Sequence, residues 1–153
     1  MKNNRYSLKR LKAKDGFTLV ELLVVITVLG ILAALVLPRV TGQTAKAKVS
    51  AAKIQIRALE DALNQFEVEN GFFPSTEQGL EALVSQPNTG KEAKNWREGG
   101  YLQRPNVPKD PWENKYIYLS PGNNGAFDLS SYGADGLPGG EGNDADINNW
   151  ELE

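Results

Sequence analysis

Residues 17–37, "FTLVELLVVITVLGILAALVL", form an apolar run of 21 positions broken only by Thr18, Glu21, Thr27 and Gly30. At 1.5 Å rise per residue this is about 32 Å of helix, close to the ~30 Å thickness of a bilayer's hydrocarbon core. Past Pro38 the period changes. Ala45, Val49, Ala52, Ile56, Leu59, Leu63 and Phe66 recur at spacings of four and three, while Lys46, Lys48, Lys53, Arg57, Glu60, Asp61 and Glu67 fall off that stripe. One apolar face over six turns predicts an amphipathic helix packed on a sheet, with Asn70-Gly71 as its stop. "PSTEQGLEALV" predicts a capping box of Ser75 with Gln78 and a short helix to about Val84. Residues 86–111 are broken by prolines and glycines and read as loop. "KYIYLS" and "AFDLSS", on either side of "PGNNG", predict a β-hairpin with about six residues per strand. The soluble part is then one α+β domain: a helical spine, a short helix and a small antiparallel sheet.

Composition removes most catalytic options. The 153 residues include no cysteine and no histidine, so disulfides, thiol chemistry, an imidazole base and His or Cys metal sites are all excluded. The net charge of −2 hides an asymmetry. Residues 1–16 carry Lys2, Arg5, Lys9, Arg10, Lys12 and Lys14 against Asp15, a net +5, which leaves −7 for the rest. An acidic body argues against nucleic-acid binding, and a basic leader suits an anionic cytoplasmic membrane surface.

Three readings of the apolar run compete. A domain this small could hardly surround a buried core helix of that length. A cleaved secretory signal is usually shorter, and the nearest small-x-small pair, Ala45 and Ala47, lies well beyond the run among lysines. A retained membrane helix, with residues 1–16 cytoplasmic and the body outside, fits the charge bias. Glu21 counts against a plain anchor, because a carboxylate in hydrocarbon costs about 2.5–3.5 kcal/mol even on a lenient scale. Lys14 could reach toward it in the uncut chain. A cut after Gly16 would place the α-amino group of Phe17 nearby, on the same helix or on a neighbour, so the charge makes sense if copies of the helix pack together.

"GADGLPGGEGNDADINNW", residues 133–150, gathers Asp135, Glu141, Asp144 and Asp146 among glycines. Such a segment has little to bury and would stay a solvated tail unless a hard cation drew its oxygens together. It is not an EF-hand, since the sixth position from Asp144 is Asn149. Composition leaves both readings open. Asp128, between Phe127 and Leu129, reads as a surface or turn-binding group.

"KDGFTLVELLVVITVLGILAALVLP" resembles the class III signal of type IV prepilins and pseudopilins, with Gly16, Phe17, Glu21, Gly30 and Pro38 in register. "FFPSTEQGLEALV", "GYLQRPNVPKDPWENKYIYLSPGNNGAFDLSSYGADG" and "DADINNW" resemble the globular region of the major, G-type pseudopilins of type II secretion. The likeness covers nearly all of the chain after residue 15. It implies a type IV pilin-like fold with three parts: a cleaved leader at 1–16, a transmembrane and assembly helix at 17–38, and a periplasmic domain at 39–153. It further implies cleavage by a prepilin peptidase between Gly16 and Phe17, N-methylation of Phe17, and neutralisation of that amine by Glu21 of an adjoining subunit. Calcium is implied in the acidic loop, on Asp135, Asp144 and Asp146 with a carbonyl near residues 130–132. The implied partners are copies of the chain in a helical filament, minor pseudopilins, an inner-membrane assembly platform and lipid. Glu113 stands where the family's "DPWGNPY" has glycine, a departure that bears on the local turn. The missing C-terminal disulfide separates the chain from pilus fibre subunits.

The expected role is therefore structural: a subunit whose filament grows from the inner membrane and drives folded proteins across the outer membrane. A type IV or competence pilin shares the N-terminus, and a monomeric membrane-anchored calcium-binding module would leave Glu21 without purpose. Catalysis has no support, because Ser130 and Ser131 lack a base.

Overall fold

The structure is a computed structural model that describes residues 16–152; within the first helix the side chains of residues 35–42 lie outside the described set. The leader expected at 1–16 lies outside it too, except for Gly16. Helix α1 spans Leu19–Asn70 and is followed by a 3₁₀ turn at Leu80–Leu83. Then come strands β1 (Ile117–Leu119), β2 (Asp128–Ser131) and β3 (Ile147–Asn148), and a 3₁₀ turn at Asn149–Glu151. The chain divides into two compact units, 1–40 and 41–153.

In the first unit α1 carries the apolar run with no described cover. Every large apolar side chain from Phe17 to Leu32 is 49–89% exposed. Among the described residues no helix is long and apolar enough to cross a membrane. The span expected at 17–38 includes four positions, 35–38, whose side chains are outside that set.

In the second unit the predicted stripe is the core. Ala52, Ile56, Leu59, Leu63 and Phe66 are all at most 1% exposed, while Ala45 and Val49 at its upstream end are partly buried. Each large side chain buried there contributes roughly 1.5–3 kcal/mol before entropy. They pack with Leu80, Leu83, Tyr101, Tyr116, Phe127 and Leu129. The Phe66 ring meets Phe72 edge-on at 5.5 Å and Tyr101 at 5.3 Å. The helix stops where expected. Gly71 takes the left-handed φ of 77° that glycine tolerates, and Asn70 Nδ2 donates to Phe66 O (3.1 Å) and to Tyr101 Oη (2.9 Å).

The sheet has the order β1-β2-β3 and is antiparallel throughout, with Ile117 opposite Ser130, Tyr118 opposite Leu129, and Ser131 opposite Ile147. The hairpin is present, but its strands have three and four residues rather than six. The cause is competition for backbone groups. Ser120 N donates to Thr76 Oγ1 (2.8 Å), and Ser120 O accepts from Thr76 Oγ1 (3.0 Å), which diverts the end of β1. Across the turn, the buried Asp128 carboxylate accepts from Asn123 N (2.9 Å) and Asn124 N (3.0 Å). Asp128 is thus the turn-binding group, and not a surface one.

The capping box forms reciprocally, Gln78 N to Ser75 Oγ (3.2 Å) and Ser75 N to Gln78 Oε1 (3.0 Å). It does not open the helix expected to Val84. Gly79 at φ 64° interrupts the chain, and the regular part is only the four residues Leu80–Leu83.

Candidate assembly terminus and acidic loop

Two regions contain the residues singled out from the sequence. At the start of α1, Thr18 and Glu21 form a second capping box. Glu21 N donates to Thr18 Oγ1 (3.2 Å), while Thr18 N and Thr18 Oγ1 donate to Glu21 Oε2 (3.3 and 3.4 Å). The carboxylate therefore satisfies an orphan amide of the helix end and lies at its positive pole. The Thr-x-x-Glu spacing carries this signal, and the sequence reading, drawn to the cost of the charge, passed over it. Phe17, one residue before the cap, is 82% exposed, and Gly16 is exposed beside it. Lys14, the other candidate partner, lies outside the described residues. Gly30 sits within α1 with nothing within 4 Å of a Cβ placed there.

The acidic loop leaves β2 at Ser131 and returns at β3. Asp135 is exposed and its Oδ1 accepts from Leu137 N (3.0 Å). Asp146 is half-buried; its Oδ2 accepts from Gly139 N (2.9 Å), and its Oδ1 is buried with no hydrogen-bond partner. Asp144 contributes main chain to the packing of the loop. A Cβ at Gly133 would lie 2.7 Å from Asp144 C, and one at Gly140 2.5 Å from Asp144 O. Glycine at 133 and 140 is what lets the two limbs touch, joined by Ala134 N to Asn143 O (3.0 Å). Among the described residues no three acidic side chains converge closely enough to hold a metal ion. The loop thus brings Asp146, Gly139 and the Asp144 backbone together and leaves Asp135 on the other limb.

Sequence reasoning missed Asp110, a carboxylate only 2% exposed. Its Oδ1 accepts from Trp112 N (3.0 Å) and Asn114 N (2.8 Å), and its Oδ2 from Ser131 Oγ (2.6 Å). The Asp-Pro start of "DPWEN" was the available signal, since Asp side chains bind amides two and four residues ahead in turns. Glu113 within that turn has φ 72°, the one left-handed non-glycine residue among those described.

Comparison with known proteins follows this division. Residues 39–150 match the family described as type II secretion system (T2SS), protein G, and residues 11–37 match the prokaryotic N-terminal methylation motif. The type II secretion system core protein G of Pseudomonas aeruginosa is 51% identical over 140 residues, covering 92% of this chain and 97% of the relative. That of Vibrio cholerae is 49% identical over 146 residues, covering 95% and 98%. The crystal structure of the major pseudopilin from the type 2 secretion system of enterohaemorrhagic Escherichia coli superposes with a TM-score of 0.64 at 40% identity, covering 73% of this chain and 94% of that one. With its stripe-bearing α1, three-stranded sheet and methylation motif, the chain belongs to the type II secretion system protein G family, the major pseudopilins.

Proposed function

We propose that this chain is made as a prepilin, cut by a prepilin peptidase between Gly16 and Phe17 and N-methylated on Phe17. It is then held in the inner membrane by a single pass at residues 17–38, with residues 39–153 in the periplasm. Copies polymerise through their N-terminal helices into a pseudopilus, alongside minor pseudopilins and an inner-membrane assembly platform, and the growing filament drives folded proteins across the outer membrane. The part is structural, with no catalysis and no nucleic-acid partner. The supporting observation is the uncovered apolar surface from Phe17 to Leu32, 49–89% exposed along one helix face after another. Lipid and further copies of the helix are partners that would remove surface on that scale from water. Glu21, in the first turn four residues after the exposed Phe17, would exchange its contact with Thr18 for the amine of a neighbouring copy.

Glu21→Ala tests this. Intact mass and N-terminal sequencing should show a start at methylated Phe17 in both proteins, and filaments should form only from the unchanged one. Normal filaments from the variant would remove the pairing, and a start elsewhere than Phe17 would remove the prepilin route.

The acidic loop supports calcium as a structural ligand in the folded domain. Asp146 Oδ1, buried and without a partner, is the kind of orphan oxygen that a hard cation satisfies, and the donors available are all oxygens. Asp135, Asp144 and Asp146 would hold the ion with main-chain carbonyls, and the bound ion would tie the two limbs of the loop together.

A further inference from the structure

We infer that the turn Asp110–Asn114 is a positioning device for the acidic loop, and that Asn114 sets how tightly the loop takes up a divalent cation; this rests on the calcium reading above. Asn114 Nδ2 donates to Gly133 O (2.9 Å). Gly133 is the residue whose backbone abuts Asn143 and Asp144, so the amide grips the loop where its two limbs meet. A Cβ added at Gly136 would also stand 3.2 Å from Asn114 Oδ1, so the same side chain bounds the Asp135 limb at a second point.

Asn114 is itself held firmly. Its main-chain N–H donates to Asp110 Oδ1 (2.8 Å), and its carbonyl accepts from Asp110 N (2.9 Å). The other oxygen of Asp110 is bound by Ser131, which faces Ile147 in the sheet, next to Asp146. One buried carboxylate thus fixes the exit of the loop at Ser131 and, through Asn114, its contact point at Gly133. The re-entry at Asp146 is fixed by strand register. None of these bonds uses a carboxylate oxygen of Asp135, Asp144 or Asp146. The device therefore acts by fixing the exit and the contact point of the loop beforehand, which lowers the ordering cost of drawing its acids onto an ion.

The experiment is calcium titration of the full chain in detergent, with thermal unfolding in chelator as the measure of the metal-free fold. Asn114→Ala should weaken calcium binding about fivefold or more, the scale of one hydrogen bond lost from preorganisation, while the melting temperature in chelator changes little. Thr76→Val, which removes hydrogen bonds to Ser120 away from the loop, should lower the melting temperature in chelator and leave the calcium Kd unchanged. Equal Kd values for Asn114→Ala and the unchanged chain would overturn the inference while sparing the calcium reading. An unchanged chain that binds no calcium would overturn the reading itself. Should Asn114→Ala not fold, Ser131→Ala, which frees Asp110, is held to the same fivefold criterion.

Discussion

Tyr116 donates a 2.6 Å hydrogen bond to Gln55 Oε1 of α1, 61 positions earlier in the chain. Two residues on, Tyr118 donates to Pro74 O at 2.8 Å. Both phenols join the strand side of the domain to the segments that pack on it, and each must stay protonated to do so. Burial raises both pKa values; that of Tyr118 is pushed up to about 12 from an ordinary 10.0.

A pKa raised on folding gives stability that is fully present below the unfolded value and is lost as pH climbs toward the folded one. The domain should therefore hold a constant melting temperature up to about pH 10 and lose it steeply between about pH 10 and 12. Tyr116→Phe combined with Tyr118→Phe should flatten that alkaline limb while costing about 1 kcal/mol per lost hydrogen bond at neutral pH. An unchanged limb in the double variant would place the alkaline sensitivity elsewhere.

Glu113 is held at φ 72°, where an L side chain costs roughly 1–2 kcal/mol and glycine almost nothing. Among the described residues its one charged contact, with Lys109 at 3.8 Å, is exposed and worth little. Glu113→Gly should raise the melting temperature by about 4 °C. A decrease seen by scanning calorimetry would show that the ion pair outweighs the backbone strain.

Phe66 and Val68 are two positions apart on α1, one fully buried and the other 79% exposed. Urea unfolding of Phe66→Ala should show a loss of about 3–5 kcal/mol, whereas Val68→Ala should stay within about 0.5 kcal/mol. Comparable losses for the two would mean that Val68 is covered by something in solution.

Chelator should lower the melting temperature of the unchanged domain, because a ligand bound only to the folded state adds about 2.7 kcal/mol at a hundredfold excess over Kd. Asp135→Ala and Asp146→Asn should each abolish that response. If a variant responds as the unchanged chain does, its carboxylate is not a ligand.

How much of this was legible follows from how local each signal is. The α1 stripe, the stop at Asn70-Gly71 and both halves of the Ser75–Gln78 box are written in neighbouring residues, and all are observed. β3 was invisible, because a two-residue strand has no period and exists only through its pairing with β2. The shortened hairpin depended on Thr76, 44 positions from Ser120. Asp110 fell within the segment read as loop, and only the fold brings Ser131 to it. The candidate loop acids were found by composition, but the division of labour among them was not. The Asp144 backbone packs against Gly133 and Gly140, Asp146 carries the orphan oxygen, and Asp135 stands on the opposite limb.

The Thr18–Glu21 box changes what assembly has to accomplish. A subunit waiting alone does not carry a naked charge, since its acid is already shared between a hydroxyl and a main-chain amide of its own first turn. On the proposed pairing, docking onto a filament is an exchange of partners, and its electrostatic gain is only the difference between a neighbour's cation and the local contact given up. The rest of the driving force then has to come from the apolar surface between Phe17 and Leu32.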